Sequence, residues 1–241
     1  MLTKMLRTTD IPVIILCGGK GTRLKEKTIN VPKPLIEIGN KPILWHILRI
    51  YQSQGFSNFI LACGYKWTQF KKFAKQQGDG INIQVVDTGE ETRKGGRVFL
   101  LKDYVKNSIF MCTYGDGVSN INLNKLLEFH NRKKKIVTIT CVKPRNQYGI
   151  VNINNGVVES FVEKPKMKEW VNAGFFVFNS NLFEHMSENC GLEDEVFPGL
   201  AKKRQVVAYK HTGFWASMDT HKDFQDLNKL WYTKKAEWKV W

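Results

Sequence analysis

Residues 12–24 read Pro-Val-Ile-Ile-Leu-Cys-Gly-Gly-Lys-Gly-Thr-Arg-Leu. The first half, Pro12–Cys17, is an unbroken apolar run, the pattern of a strand buried on both faces. It runs straight into Gly18, Gly19 and Gly21. A doubly buried strand ending in a glycine-rich turn predicts a parallel sheet covered by helices. The turn then lies at the strand's C-terminal end, where open α/β sheets hold ligands. The alternation repeats outward. Phe59–Cys63, Ile81–Val86 and Ser108–Thr113 are further predicted strands. Between them, Pro42 occupies a first-turn position and Ile43, Leu44, Ile47, Leu48 and Tyr51 follow at helical spacing. Trp67, Phe70 and Phe73 predict a second helix, and Leu123–His130 a third. After Ile136 the character changes. Ile136–Val142, Gly149–Ile153, Val157–Glu163 and Ala173–Phe178 read as strands with little helix between them, and Asn154-Asn155-Gly156 as a tight turn. A helix over Asp223–Tyr232 closes the chain. The expected class is α/β, a mixed sheet covered by helices with a smaller antiparallel lobe, in one domain over 1–241.

Composition narrows the function classes. With 241 residues, 42% hydrophobic and 12% aromatic, the chain can build a core, which excludes wholesale disorder. Lys and Arg number 37 against 22 Asp and Glu, a net charge of +15. Such a balance favours polyanionic partners: nucleic acid, acidic lipid or nucleotide phosphates. Much of the excess sits in scattered pairs such as Lys71-Lys72 and Lys202-Lys203. Arg132-Lys133-Lys134-Lys135 lies between a predicted helix and strand and reads as a solvated turn. A nucleic-acid-binding module, the rival class, needs clustered cations interleaved with aromatics, so no nucleic-acid partner is expected. Cys17, Cys63, Cys112, Cys141 and Cys190 form no CxxC pair, and most lie in apolar runs, as reduced thiols do in a cytoplasmic protein. No apolar run approaches a membrane span, and the stretch before Leu16 is too short for a signal sequence. Neither a membrane nor processing is expected. Trp231, Tyr232, Trp238 and Trp241 crowd the tail and predict docking on a second subunit, hence a homo-oligomer. Docking back on the same chain is the alternative.

The glycine turn carries chemistry of its own. Backbone N–H groups at Gly18, Gly19, Gly21 and Thr22 can cradle a phosphate. Arg23 offers a bidentate fork. Lys33, between Pro32 and Pro34, supplies a second cation on a stiffened backbone. The pattern is neither the Walker loop nor the dinucleotide fingerprint. A plain strand-to-helix turn with surface cations is the structural alternative. Two aspartates complete the set. Asp116, in Thr113-Tyr114-Gly115-Asp116-Gly117, ends a predicted strand between two glycines, and Asp219 lies in Trp215-Ala216-Ser217-Met218-Asp219-Thr220. Two carboxylates meeting at one point would hold Mg²⁺, which fills its other positions with phosphate oxygens and water. A helix N-cap is the alternative role for Asp219. The five histidines show no metal-ligand spacing, and no nucleophile–base arrangement is visible.

In this order GGKGTRL, PKP, VDTG…GGR (86–97), TYGDG, EKP, NAGFF and GFWASMDT resemble the sugar-nucleotide pyrophosphorylases, and most of all their glucose-1-phosphate cytidylyltransferase branch. The similarity runs nearly end to end. It implies a Rossmann-like fold with a nucleotide-binding half over about 1–135 and an acceptor-binding half, with the C-terminal helix, over about 136–241. It implies transfer of CMP from CTP to a phosphorylated small molecule with release of pyrophosphate, in surface-polysaccharide precursor synthesis. By motif position, Arg23 and Lys33 would be catalytic. Leu16, Gly18, Gly19, Gly21, Thr22, Arg23, Lys33, Gly95, Gly96 and Asp116 would bind nucleotide. Tyr148, Gly149, Glu163, Lys164, Asn172 and Gly174 would bind the acceptor, and Asp116 and Asp219 would hold Mg²⁺. Retention of Arg23, Lys33, Asp116 and Asp219 argues against a catalytically dead homologue. Two departures fall on the acceptor side. The Ala74–Val85 connection is shorter than in the branch, and Ala173 stands where the branch carries glycine. They open a non-sugar acceptor, such as L-glutamine phosphate giving CDP-glutamine, as the alternative to glucose-1-phosphate.

Overall fold

The computed structural model describes residues 7–21, 24, 28, 30–78, 80–105 and 109–241. Arg23, Thr22 and Ser108 lie outside the described residues. The apolar run forms β1 (Pro12–Leu16). A small antiparallel pair follows, β2 (Glu37–Ile38) and β3 (Lys41–Pro42). Then come helix α1 (Ile43–Gln52), β4 (Asn58–Cys63), α2 (Trp67–Lys75) and β5 (Asn82–Asp87). After them lie α3 (Lys94–Leu100), β6 (Ile109–Tyr114), β7 (Gly117–Ser119), α4 (Leu123–Lys133) and β8 (Val137–Val142). The second half adds β9 (Ile150–Asn154), β10 (Val157–Val162), β11 (Val171–Asn179), α5 (Phe197–Lys202), β12 (Val206–Lys210), β13 (Trp215–Ser217) and α6 (His221–Tyr232).

Seven strands make the main sheet, in the order β12-β8-β11-β6-β1-β4-β5. All run the same way except β11, which is antiparallel to both β6 and β8. The mixed α/β architecture expected from the sequence is therefore present. The alternation of side chains along each strand divides the core. Val13, Ile15, Phe59, Leu61, Met111, Phe175 and Val177 face the layer holding α1, α2 and α4. Ile14, Ile60, Phe110, Phe176 and Phe178 face the layer holding α3 and α5. The chain leaves β1 for β4 on one side and returns to β6 on the other. The crevice beyond the C-terminal ends of β1 and β6 is thus the topological switch point, where such sheets take ligands.

The aromatic tail does not project. Trp238 is fully buried, stacks on Trp231 with ring centroids 6.3 Å apart, and packs edge-on against His46 of α1. Trp241 meets Trp45 at 5.6 Å. Trp231, Trp238 and Trp241 pack on α1 or on one another within the same chain, while Tyr232 is 64% exposed, so three of the four rings expected to dock a second subunit are engaged internally.

The feature that does project is the β9–β10 hairpin. Seven of its apolar side chains, Ile150, Val151, Ile153, Val157, Val158, Phe161 and Val162, are 44–65% exposed. It leaves the sheet where β8 ends and β11 begins, and the two arms of its stem are tied by Asn146 N–H to Pro165 O (2.8 Å) and Met167 N–H to Pro144 O (2.9 Å). Among the described residues no helix is long and apolar enough to cross a membrane.

Candidate active site

A cleft of about 710 Å³ opens at the switch point, lined by the glycine turn, by residues 90–94 and by the ends of β6 and β13. Of the residues expected to bind nucleotide, Leu16, Gly18, Gly19, Gly21, Lys33 and Asp116 line it, and so does Asp219.

The two aspartates come from opposite ends of the chain and are brought together by backbone pairing. β7 and β13 form a short antiparallel ladder with Gly117 opposite Ser217, and Met218 N–H donates to Asp116 O at 2.9 Å. Met218 is itself buried in the core, which anchors the segment. Asp219 is not the N-cap of α6. Thr220 is, its side chain accepting from Asp223 N–H in a reciprocal capping box, which leaves the Asp219 carboxylate for the cleft.

Lys33 stands between the two carboxylates. Its Nζ donates to Asp116 Oδ2 at 2.7 Å and to Asp219 Oδ1 at 2.8 Å. Pro32 and Pro34 and the one-turn 3₁₀ segment Lys33–Leu35 fix its backbone. Gly21, at φ +65°, lets the loop turn directly against its Cβ. Burial acts to lower the Lys33 pKa, but the two carboxylates outweigh it and hold the ammonium above its ordinary range.

Arg97 of α3, a residue the sequence reading had not placed in the site, organises the phosphate turn from beneath. Its guanidinium is buried and donates to Gly18 O (3.2 Å), Cys63 O (3.1 Å), Gly89 O (2.6 Å), Glu90 O (2.9 Å) and Thr88 Oγ1 (2.7 Å). It thereby ties the ends of β1, β4 and β5 to one planar fork. A Cβ on Gly18 would fall 2.1 Å from its Cζ, so any other residue at position 18 would displace the guanidinium from this set of bonds. Burial depresses the Arg97 pKa from its usual value.

Gly95 and Gly96, expected at the nucleotide, do not line the cleft. A Cβ at Gly95 would meet Cys190 O at 2.6 Å, and one at Gly96 would meet Glu188 O at 2.1 Å. They are the thin face that lets α3 lie against the 188–190 segment, and that contact is what seats Arg97.

On the acceptor side the structure brings some expected residues together and leaves others out. Asn172 lines the cleft. Its Nδ2 donates to Tyr114 Oη (3.0 Å), Tyr114 donates to Glu193 Oε1 (2.5 Å), and Lys94 Nζ lies 2.7 Å from the same oxygen. Burial, and then Glu193, raise the Tyr114 pKa. Gly174 backs the Tyr114 ring, which would lie 2.2 Å from any Cβ there. Tyr148, Gly149, Glu163 and Lys164 instead sit at the base of the hairpin, outside the cleft lining. Tyr148 is 75% exposed, and Lys164 pairs with its neighbour Glu163 at 3.1 Å. The two sequence departures also fall elsewhere. Ala173 is buried in the core with Phe175 and Val177. The short connection joins α2 to the start of β5, at the end of the sheet opposite the cleft. Neither lines the cleft, although Ala173 O accepts from the indole N–H of Trp215, which does.

The arrangement can neutralise a polyphosphate and position it against a second substrate. The nucleotidyl transferase profile matches residues 12–233. A Bacillus subtilis (strain 168) protein named "probable glucose-1-phosphate cytidylyltransferase" is 38% identical over 95% of this chain and 99% of its own. The glucose-1-phosphate cytidylyltransferase of Salmonella typhimurium (strain LT2) is 37% identical over 95% and 98%. The crystal structure of HddC from Yersinia pseudotuberculosis shares the fold, with a TM-score of 0.72 over 92% of this chain and 99% of that one at 22% identity. A switch-point crevice lined by Gly18–Gly21, Lys33 and paired aspartates, in a chain matched over nearly its whole length, places the protein in the nucleotidyl transferase family, among the enzymes of the sugar-nucleotide pyrophosphorylase type.

Proposed function

We propose that this enzyme is a cytidylyltransferase that moves CMP from CTP to a sugar-1-phosphate, glucose-1-phosphate by default, releasing pyrophosphate. Its product would serve surface-polysaccharide precursor synthesis in the cytoplasm. The observation that carries the proposal is the Asp116–Lys33–Asp219 contact at the mouth of the glycine turn. The names of the two cytidylyltransferase relatives supply the base and the acceptor class.

In this reaction the acceptor's phosphate oxygen attacks the α-phosphorus in line and pyrophosphate leaves. The attacking oxygen is already anionic, so no side chain needs to remove a proton. The chain's work is charge neutralisation and positioning. Backbone N–H groups of Gly18–Gly21 face the triphosphate, Arg97 keeps them in place, and Lys33 offsets negative charge. Asn172 and Tyr114 shape the acceptor side. Asp116 and Asp219 fit a hard divalent cation, since both are carboxylates aimed at one point, and they would hold Mg²⁺. Bound there, Mg²⁺ supplies charge stabilisation on the transferring phosphoryl group.

Self-association is part of the proposal. Its surface would be the apolar β9–β10 hairpin, since three of the four tail aromatics are engaged internally.

The test is pyrophosphate release from each nucleoside triphosphate with a panel of sugar-1-phosphates and L-glutamine phosphate. CTP with glucose-1-phosphate is expected to be the fastest pair. Turnover confined to L-glutamine phosphate would reassign the acceptor, and no turnover with any pair would overturn the proposal.

A further inference from the structure

Among the described residues, each cation that lines the cleft already has a partner. Lys20 pairs with Glu91 at 2.6 Å and with Glu90 at 3.3 Å. Arg93 pairs with Asp194 and Glu195, and Lys94 with Glu193 at 2.7 Å. Arg97 faces carbonyl oxygens, and Lys33 holds both aspartates. An incoming polyphosphate that engages these cations must therefore exchange partners with them.

The exchange at Lys33 has a particular consequence. Its ammonium lies within hydrogen-bond distance of one oxygen of each aspartate, in the space between them. Its side chain is only 12% exposed and its backbone is pinned by two prolines, so it reaches this position by construction. A divalent cation shared by Asp116 and Asp219 would occupy the same region and be repelled by the ammonium at contact range. Among the described residues no group of three or more acidic, histidine or cysteine side chains offers a cation another place. Two carboxylates already neutralised by an ammonium are a poor site, and they become a good one only when Lys33 turns elsewhere. A phosphate at the glycine turn is an anion that can draw it away.

We propose that Lys33 is the resident counter-ion of the Asp116–Asp219 pair, so that a divalent cation enters only when nucleotide phosphates take over the ammonium. The inference deepens the function proposed above, because it makes one lysine both the guard of the carboxylates and a ligand of the triphosphate. It predicts an order: nucleotide and metal arrive together, and metal alone binds poorly.

The test uses Mn²⁺ as probe, titrated against the free protein and read as unbound Mn²⁺ by electron paramagnetic resonance, with no turnover involved. Without nucleotide, Lys33→Gln is expected to bind Mn²⁺ about tenfold or more tightly than the wild type, and adding Asp116→Asn to Lys33→Gln should reverse the gain. Equal or weaker Mn²⁺ binding by Lys33→Gln would overturn the proposal. Should Lys33→Gln not fold, acylation of Lys33 in the wild type, read by mass spectrometry, decides. Mn²⁺ alone should leave the labelling of Lys33 unchanged, while Mn²⁺ with CTP should change it; a change with Mn²⁺ alone would overturn the proposal. Because neither readout needs an acceptor or catalysis, the counter-ion role can stand if cytidylyl transfer fails, and can fail if transfer stands.

Discussion

Trp238 donates its indole N–H to Nδ1 of His46 across 3.4 Å, while Nε2 of the same imidazole lies 2.8 Å from Ile38 O. These partners fix one neutral tautomer, with the proton on Nε2. A second proton on Nδ1 would face the indole N–H in a buried aromatic cage.

Burial accordingly lowers the His46 pKa from 6.5 to about 4, although its backbone hydrogen bonds oppose the shift. The folded form binds fewer protons than the unfolded one between these values. The stability is fully present above pH 6.5 and is lost as the pH falls towards 4, by about 3 kcal/mol in all. Urea unfolding across this window should show the loss, and His46→Gln should flatten the slope. An unchanged slope in the variant would show that other groups carry the acid sensitivity.

The same cage sets the expectation for the tail. Trp238→Ala should cost about 3–5 kcal/mol, the range for removing a fully buried large aromatic. Truncation after Leu230 should lower the melting temperature with the solution mass per assembly otherwise intact. A truncated protein that melts like the full chain would refute the internal role.

Arg97→Met should weaken both stability and nucleotide binding. It removes the guanidinium from four carbonyls and the Thr88 hydroxyl; Cys63 O keeps the Thr88 N–H and hydroxyl, and Gly18 O keeps the Tyr65 N–H, so the loss falls on Gly89 O, Glu90 O and Thr88 Oγ1. Each such group costs about 1–3 kcal/mol when left unpaired in the interior, with the sum reduced by water entry. The expected signature is a raised KM for nucleotide with the acceptor KM less changed, alongside a lower urea midpoint.

Asp116→Asn and Asp219→Asn should each lower kcat about a hundredfold or more, since they remove charge stabilisation from the transferring group. The circular dichroism spectrum should remain native. Thr220 caps α6, so Asp219→Asn leaves that helix its N-terminus. Normal turnover with reduced stability in Asp219→Asn would show that its carboxylate serves the fold alone.

The sequence made the architecture legible wherever periodicity and burial coincide. β1, β4, α1 and α6 lie within a residue or two of their expected bounds, because doubly buried strands and amphipathic helices leave uninterrupted signals. Lys33, Asp116 and Asp219 stood out in the sequence through their flanking prolines and glycines, and part of that signal is packing: Pro34 is buried, and a Cβ at Gly115 would meet its Cγ at 2.9 Å. Arg97 did not, because its partners are mostly main-chain carbonyls from three separate segments and carbonyls carry no residue identity. Its one visible signal was an arginine at the end of two glycines in an otherwise apolar turn of helix. Gly95 and Gly96 look in sequence like a ligand-approach motif, yet they serve a helix contact with 188–190, since a glycine marks close approach without naming what approaches. The tail was ambiguous for a related reason: aromatic side chains announce burial but not against which surface, and here three of the four pack within the chain while Tyr232 stays exposed.

The β9–β10 hairpin has its two ends fastened to each other, Asn146 to Pro165 and Pro144 to Met167, before the chain re-enters the sheet at Val171. It contributes none of the buried side chains of the two core layers. In evolutionary terms it is a module with its own doorway. Substitution or lengthening at its tip, Asn154–Gly156, leaves the packed sheet and the aspartate–lysine cleft unstrained, so the surface of this enzyme can diversify there without repacking its core.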